Sequence, residues 1–90
     1  MKYRYDFEAT EWTVPMAGVR HKVFPSQGRR LRLVEYSAEF EPHWCERGHI
    51  GQILEGRFQI EFDEGTERFN AGDGIAVPGG HEHRHGATVL

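Results

Sequence analysis

Apolar and polar residues alternate along most of this chain with a period of two, and Gly, Pro or Asp interrupts the alternation. Because side chains of a β-strand point alternately to its two faces, this pattern predicts short strands joined by turns. We expect strands at residues 3–7, 18–24, 31–40, 50–54, 58–62, 66–69, 75–77 and 81–90. Regularly spaced short strands of this kind are typical of a β-sandwich or barrel, and no helical spacing competes with them.

Two finer features follow from the same pattern. Glu55-Gly56 is a tight-turn signal, so the strands on either side of it should form a hairpin. The alternation changes phase near Val34, which predicts either a β-bulge at that point or a strand with both faces covered.

Length and composition narrow the class of protein. Ninety residues with 38% hydrophobic and 28% charged residues suit one globular domain spanning 1–90. No apolar run is long enough for a membrane helix, and the first residues lack the apolar region of a signal peptide, so we expect neither. The net charge of −3 gives no general attraction to nucleic acid. A single cysteine excludes an internal disulfide, and we therefore expect a cytoplasmic domain.

Histidine supplies the first sign of chemistry. The chain has six, and five of them fall in the windows 43–49 and 81–85. His43, Cys45 and His49 share one face if the chain is extended there, and imidazole and thiolate groups suit transition metals better than Mg²⁺ or Ca²⁺. His83, in the second window, would complete a four-ligand set if its strand lay opposite.

The two histidine windows coincide with a known sequence pattern. Residues 72–83 read GDGIAVPGGHEH and match the second cupin motif, G-x5-P-x-G-x2-H, at every fixed position. Residues 43–56 resemble the first cupin motif, H-x-H, three or four residues, E, six residues, G. Cys45 stands in place of the second histidine of that motif and His49 in place of the glutamate. The chain thus resembles the cupin superfamily over about residues 31–85, which would form the motif core, with residues 1–17 as an N-terminal strand and lead-in.

The substitutions in the first motif keep metal-binding groups at the ligand positions. The resemblance therefore implies a variant metal site held by His43, Cys45, His49 and His83, with Zn, Fe or Ni as the ion. His81 and His85 share the face of His83 on a regular strand, so either could replace it as the ligand. The His-Trp-Cys run followed by Gly-His is also similar to a small subgroup, the DHCW-motif cupins.

The resemblance further implies an all-β, single-domain jelly-roll, the double-stranded β-helix of cupins, with the metal between its sheets. A homodimer formed by strand pairing is an expectation from the fold alone. Gly51 shares the parity of the ligands, so the space beside the metal should be open to a small molecule or, alternatively, the glycine marks a bulge.

Three functions remain open from the sequence. The domain could be a metal-dependent enzyme acting on a small molecule, although no convincing catalytic acid or base stands out beyond Glu46 and Tyr36, and neither is well placed. It could instead be a non-enzymatic module that senses a small ligand, metal or redox state, in which oxidation of Cys45 would release the ion. Finally, the metal could serve only to stabilise a domain with a modest core.

Overall fold

The computed structural model describes residues 3–90, which form two compact units, one up to Phe40 and one from Glu41 to Leu90. All strand pairs are antiparallel, and no α-helix is present in the described residues. The elements are β1 (Thr13–Met16), β2 (Val19–Ser26), β3 (Arg29–Tyr36), β4 (His49–Gln52), β5 (Arg57–Phe62), β6 (Gly65–Asn70), β7 (Gly74–Val77), a 3₁₀ turn (His81–His83) and β8 (His85–Val89).

This architecture confirms the all-β class, and its antiparallel sheets are consistent with the predicted jelly-roll. A search of residues 3–90 finds no helix with the length and apolar character needed to cross a membrane. The assignment of residues 1–90 to a single domain stays a prediction.

The first unit is a three-stranded sheet in the order β1-β2-β3. The register between β2 and β3 runs without a shift from Val19 opposite Tyr36 to Ser26 opposite Arg29, so the bulge predicted near Val34 is absent. The adjacent residues 32–34 are all half-buried, as expected for the alternative explanation of the phase change, a strand with both faces covered. Pro25 lies inside β2 but beyond the residues of β2 that pair with β1. Its missing N–H therefore removes no hydrogen bond between β1 and β2.

The strand expected at residues 3–7 does not form within the described part of the chain. Tyr5 instead stacks on Phe24 at 4.4 Å between ring centroids, and its hydroxyl donates to the carbonyl oxygen of Val23 at 3.2 Å. Tyr5 thus contacts β2 through its side chain, with Phe7 packed edge-on against it, and this segment makes no backbone ladder. β1, which the sequence analysis missed, contains Pro15 and lies at the sheet edge, the position that tolerates proline.

The environment of His21 on β2 favours the neutral form of its imidazole. The guanidinium of Arg32 donates to its Nδ1 at 2.9 Å, so that nitrogen carries no proton. Desolvation of the ring and the positive charges of Arg32 and Arg30 all lower the pKa of His21 from its ordinary 6.5. The neutral imidazole is therefore the form that the folded sheet favours.

We expect NMR titration of the imidazole to give His21 a pKa below 6.5, and Arg32→Gln to move it back toward that value. Because the pKa is lower in the folded than in the unfolded chain, the contribution of His21 to stability is complete above pH 6.5. It is lost as the pH falls through the folded pKa. A wild-type midpoint at or above 6.5 would contradict this account.

The second unit contains a three-stranded sheet, β6-β5-β8, and the two-stranded sheet β4-β7. The register of the larger sheet places on one face the alternate residues of β5 from Phe58 to Phe62, of β6 from Gly65 to Phe69 and of β8 from His85 to Val89. We call this the inner face, because it carries the buried residues Ile60 and Phe69, which cluster with Ile53. Burial of these side chains is the main stabilising contribution within the unit.

The chain does not run as one strand from residue 81 to 90. Gly80 has a φ of 115°, a conformation that favours glycine, and the 3₁₀ turn at His81–His83 follows it. β8 begins only at His85. The parity argument that placed His81, His83 and His85 on one face therefore fails, because it requires a regular strand.

Ile60 and Ile50 form a matched pair for testing the core, with 2% and 93% of their surface exposed. We expect Ile60→Ala to lower the free energy of unfolding by about 3 kcal/mol, through lost burial and the cavity left behind. Ile50→Ala should change it by less than about 0.5 kcal/mol. Urea denaturation measures both, and equal losses would contradict the assignment of the core.

Candidate metal centre and adjoining cleft

Cys45 and His85 are held opposite each other by two backbone hydrogen bonds. The N–H of Cys45 donates to the carbonyl of His85 at 2.7 Å, and the N–H of His85 donates to the carbonyl of Cys45 at 2.9 Å. Directly opposed residues in an antiparallel pair project to the same side. The bridge therefore brings a thiol and an imidazole together from segments forty residues apart in sequence.

His49 joins them from β4. It lies opposite the buried Val77 of β7, and its ring meets that of His85 edge-on, with 4.9 Å between centroids. One ligand atom from each of Cys45, His49 and His85 lies within 4.8 Å of the other two. We refer to these three residues as the Cys-His-His cluster. Their spacing is close to what a single ion needs when its bonds to nitrogen and sulfur are about 2.0–2.3 Å.

The burial and hydrogen bonding of the His85 ring are those expected of a metal ligand. Its side chain is 4% exposed, and Nδ1 lies 3.1 Å from the carbonyl oxygen of His83. A carbonyl only accepts, so Nδ1 carries a proton, and in the neutral ring the lone pair is then on Nε2. That Nε2 is buried and has no hydrogen-bond partner within residues 3–90. A ring fixed by one nitrogen with the other left as a bare donor is the arrangement that metal-bound histidines adopt.

Of the four ligands predicted from the motifs, the structure brings Cys45 and His49 together. Within residues 3–90, His43 and His83 are not members of the cluster, and His85 occupies the third position. The sequence analysis had left His85 open as a replacement for His83. The 3₁₀ turn gives the physical reason, since it ends at His83 and β8 starts at His85. The four-ligand assignment itself stays a prediction.

The two segments that supply the cluster are joined at several further points. The N–H of Gly80 donates to the carbonyl of Glu46 at 2.8 Å, and the ring Nδ1 of His81 lies 3.2 Å from the Glu46 carboxylate. The guanidinium of Arg84 lies 5.2 Å from the ring centre of Trp44. Glu46 and Trp44 therefore connect the two segments. The contacts of Glu46 with Gly80 and His81 give it a role in positioning these segments. Such exposed contacts each contribute little energy alone.

Gly48 is needed where these segments come closest. A Cβ at residue 48 would lie 2.7 Å from the carbonyl oxygen of Val77 and 2.8 Å from the amide nitrogen of Gly79. Both are backbone atoms, which cannot rotate away. At Gly51 the contact of a Cβ within 4 Å among the described residues would be with Ile75 Cγ2, at 3.9 Å, so a methyl group fits there; open space beside a metal at this glycine stays a prediction.

The second unit contains a cleft of about 190 Å³, and the ring of Phe62 on its wall lies 6.0 Å from that of His85 between centroids. Its walls include the apolar residues Phe62, Phe69, Val77 and Pro78, with Glu67 and His83 as polar members. Phe62 lies opposite His85 across β5 and β8, and Val77 lies opposite His49 across β4 and β7. The cleft therefore shares its walls with the strands that carry the ligands. The sequence analysis missed Glu67, although its parity with Phe69 on β6 was the available signal.

Comparison with known families adds an independent finding. Residues 29–89 match the AraC-like ligand binding domain family. The chain belongs to this family. Because the family has the cupin fold, the cupin resemblance is confirmed, and membership indicates binding of a small molecule. The DHCW subgroup stays a prediction. Comparisons with curated proteins and with solved structures gave no significant match.

We expect Gly48→Ala to lower the free energy of unfolding by about 2 kcal/mol, because backbone on both segments must move to admit the methyl group. Gly51→Ala is the matched control, and it should leave stability within about 0.5 kcal/mol of wild type. Thermal and urea unfolding of both variants measure the difference. Equal stability of the two variants would show that the close approach at residue 48 is not required.

Proposed function

We propose that this domain is a small-molecule binding module whose site is organised by one divalent transition metal held by Cys45, His49 and His85. The buried Nε2 of His85, which has no hydrogen-bond partner in the described part of the chain, is the observation that most supports this proposal. An unsatisfied buried nitrogen costs about 1–3 kcal/mol, and a bound ion would remove that penalty. Membership of a ligand-binding family supports the second half of the proposal.

The donor set favours particular ions. One thiolate with two imidazoles suits zinc, iron or nickel, whereas Mg²⁺ and Ca²⁺ prefer oxygen. Three protein ligands leave a four-coordinate ion with one position free for another donor. His43 and His83, from the predicted four-ligand set, are the candidates from the chain for that position. If neither occupies it, the free position would bind a donor atom of the small molecule.

The residues of the chain have separate tasks in this proposal. The carbonyl of His83 orients the ring of His85, and the backbone bridge at Cys45 holds the thiol beside it. The aromatic rings of Phe62 and Phe69 exclude water from one side of the cleft. The hypothesis of a metal-dependent enzyme stays a prediction, as do the redox-sensing role, the purely structural role, the homodimer and the cytoplasmic location.

Removal of single ligands tests the metal site. The full chain is purified without an affinity tag, its metal content is measured by mass spectrometry, and zinc affinity is measured against a chelator. We expect Cys45→Ser and His85→Ala to weaken zinc binding at least about a hundredfold, since removing a second-shell partner alone costs 10–100-fold. His81→Ala, on the neighbouring turn, is the control and should stay within about twofold of wild type. Circular dichroism confirms that each variant is folded.

Two further variants, His43→Ala and His83→Ala, test whether the chain supplies a fourth ligand to the metal. A large loss of affinity in one of them identifies a fourth protein ligand, and a closed site of that kind would favour the structural role. If His83→Ala removes the metal and His85→Ala does not, the Cys-His-His cluster is the wrong assignment. A wild-type chain that binds none of zinc, iron(II) or nickel(II) would overturn the metal part of the proposal.

A further inference from the structure

The inner face of the β6-β5-β8 sheet contains two polar side chains among the described residues, His85 and Glu67. His85 belongs to the Cys-His-His cluster. Glu67 lies on β6 directly opposite Ile60, which is 2% exposed, and two residues before the buried Phe69. The outer face of the same strands carries polar residues such as Gln59, Glu61 and Arg68, where charge is expected. A carboxylate on the inner face therefore departs from the pattern of the sheet.

Nothing in residues 3–90 neutralises this carboxylate. No hydrogen bond or ion pair engages the side chain of Glu67 in that part of the chain. The side chain is exposed and lines the cleft beside Phe62 and Phe69. No lysine or arginine of the described residues lines the cleft with it. Among the described residues, the only fixed charge on the cleft wall is thus negative, which disfavours a carboxylate or phosphate ligand and favours a cation.

We propose that the cleft binds a small amine, with an apolar body against Phe62, Phe69 and Val77 and an ammonium group that donates to Glu67. This inference rests on the proposed function, since it names the class of ligand for the same site. Hydrogen bonds between ions are stronger than neutral ones, so Glu67 distinguishes an ammonium from an alcohol of the same shape.

The size of the cleft limits the ligand further. Its volume of about 190 Å³ lies below the roughly 300–1,000 Å³ of clefts that bury drug-sized molecules. A single aromatic ring or a short branched chain with one amine fits this space and its aromatic walls. Glu67 is a specificity-determining residue in this account, and it acts on the ligand directly and not through the metal.

Three probes that differ only in the polar group test the inference: benzylamine, benzyl alcohol and benzoate. Each is titrated into the zinc-loaded full chain, and binding is followed by amide chemical shifts in NMR. We expect benzylamine to bind at least tenfold more tightly than benzyl alcohol, and benzoate to bind most weakly. Shifts should concentrate on β5, β6 and β7.

Two isosteric variants separate the contribution of Glu67 from general electrostatics. Glu67→Gln should reduce the preference for benzylamine over benzyl alcohol to less than about twofold. Glu61→Gln, on the outer face of the same sheet, removes the same charge and should keep the tenfold preference. Zinc content of both variants should equal that of wild type, because neither residue belongs to the cluster.

The outcomes distinguish this inference from the proposed function. If zinc binds but benzylamine shows no preference, or if the preference survives Glu67→Gln, the amine inference is wrong and the metal site stands. If benzylamine coordinated the zinc itself, its preference over benzyl alcohol would survive Glu67→Gln. If zinc does not bind and the preference for benzylamine remains sensitive to Glu67, the inference holds and the metal part of the proposed function fails. Absence of binding by all three probes overturns the inference.

Discussion

The candidate site depends on the backbone bridge between Cys45 and His85. Two mutual hydrogen bonds, at 2.7 and 2.9 Å, fix the distance between these residues and the side to which both point. His49 is then placed by a separate register, that of β4 against β7. Breaking the bridge would separate the thiol from both imidazoles. The surface contacts of Glu46 and Trp44 join the same two segments but do not set the positions of the ligands.

The β6-β5-β8 sheet has two features with opposite effects on stability. Its inner face packs Ile60 and Phe69 into a core, and that burial stabilises the second unit. The face also buries His85, whose Nε2 has no hydrogen-bond partner among the described residues and therefore lowers stability in the absence of a ligand. A bound ion would offset this loss, so metal binding and folding of the second unit should be linked. Glu67 avoids a similar penalty because its side chain remains exposed.

The four-ligand site derived from the sequence stays a prediction, and two of its residues lie close together in the structure. Cys45 and His49 share parity within one short segment, and the structure brings them together. Prediction of the third partner depended on the strand continuing through residues 81–85. The positive φ of Gly80 and the turn after it break that continuity, so spacing within the motif favoured His83 while the fold presents His85. Glu67 shares parity with Phe69 along β6, but its position opposite the buried Ile60 is known only from the pairing of β6 with β5.

The sequence by itself determined the all-β class, most strand positions and the cupin family, because period-two alternation and the spacing of Gly, Pro and His are local properties of the chain. Only the tertiary structure decided that residues 3–7 form no strand, with Tyr5 stacked on Phe24, and that β1 forms at Thr13–Met16. It also decided which histidine faces Cys45. These outcomes depend on which distant segments pair and in what register, and the hydrogen bonds and burial that choose the register are absent until the chain has folded.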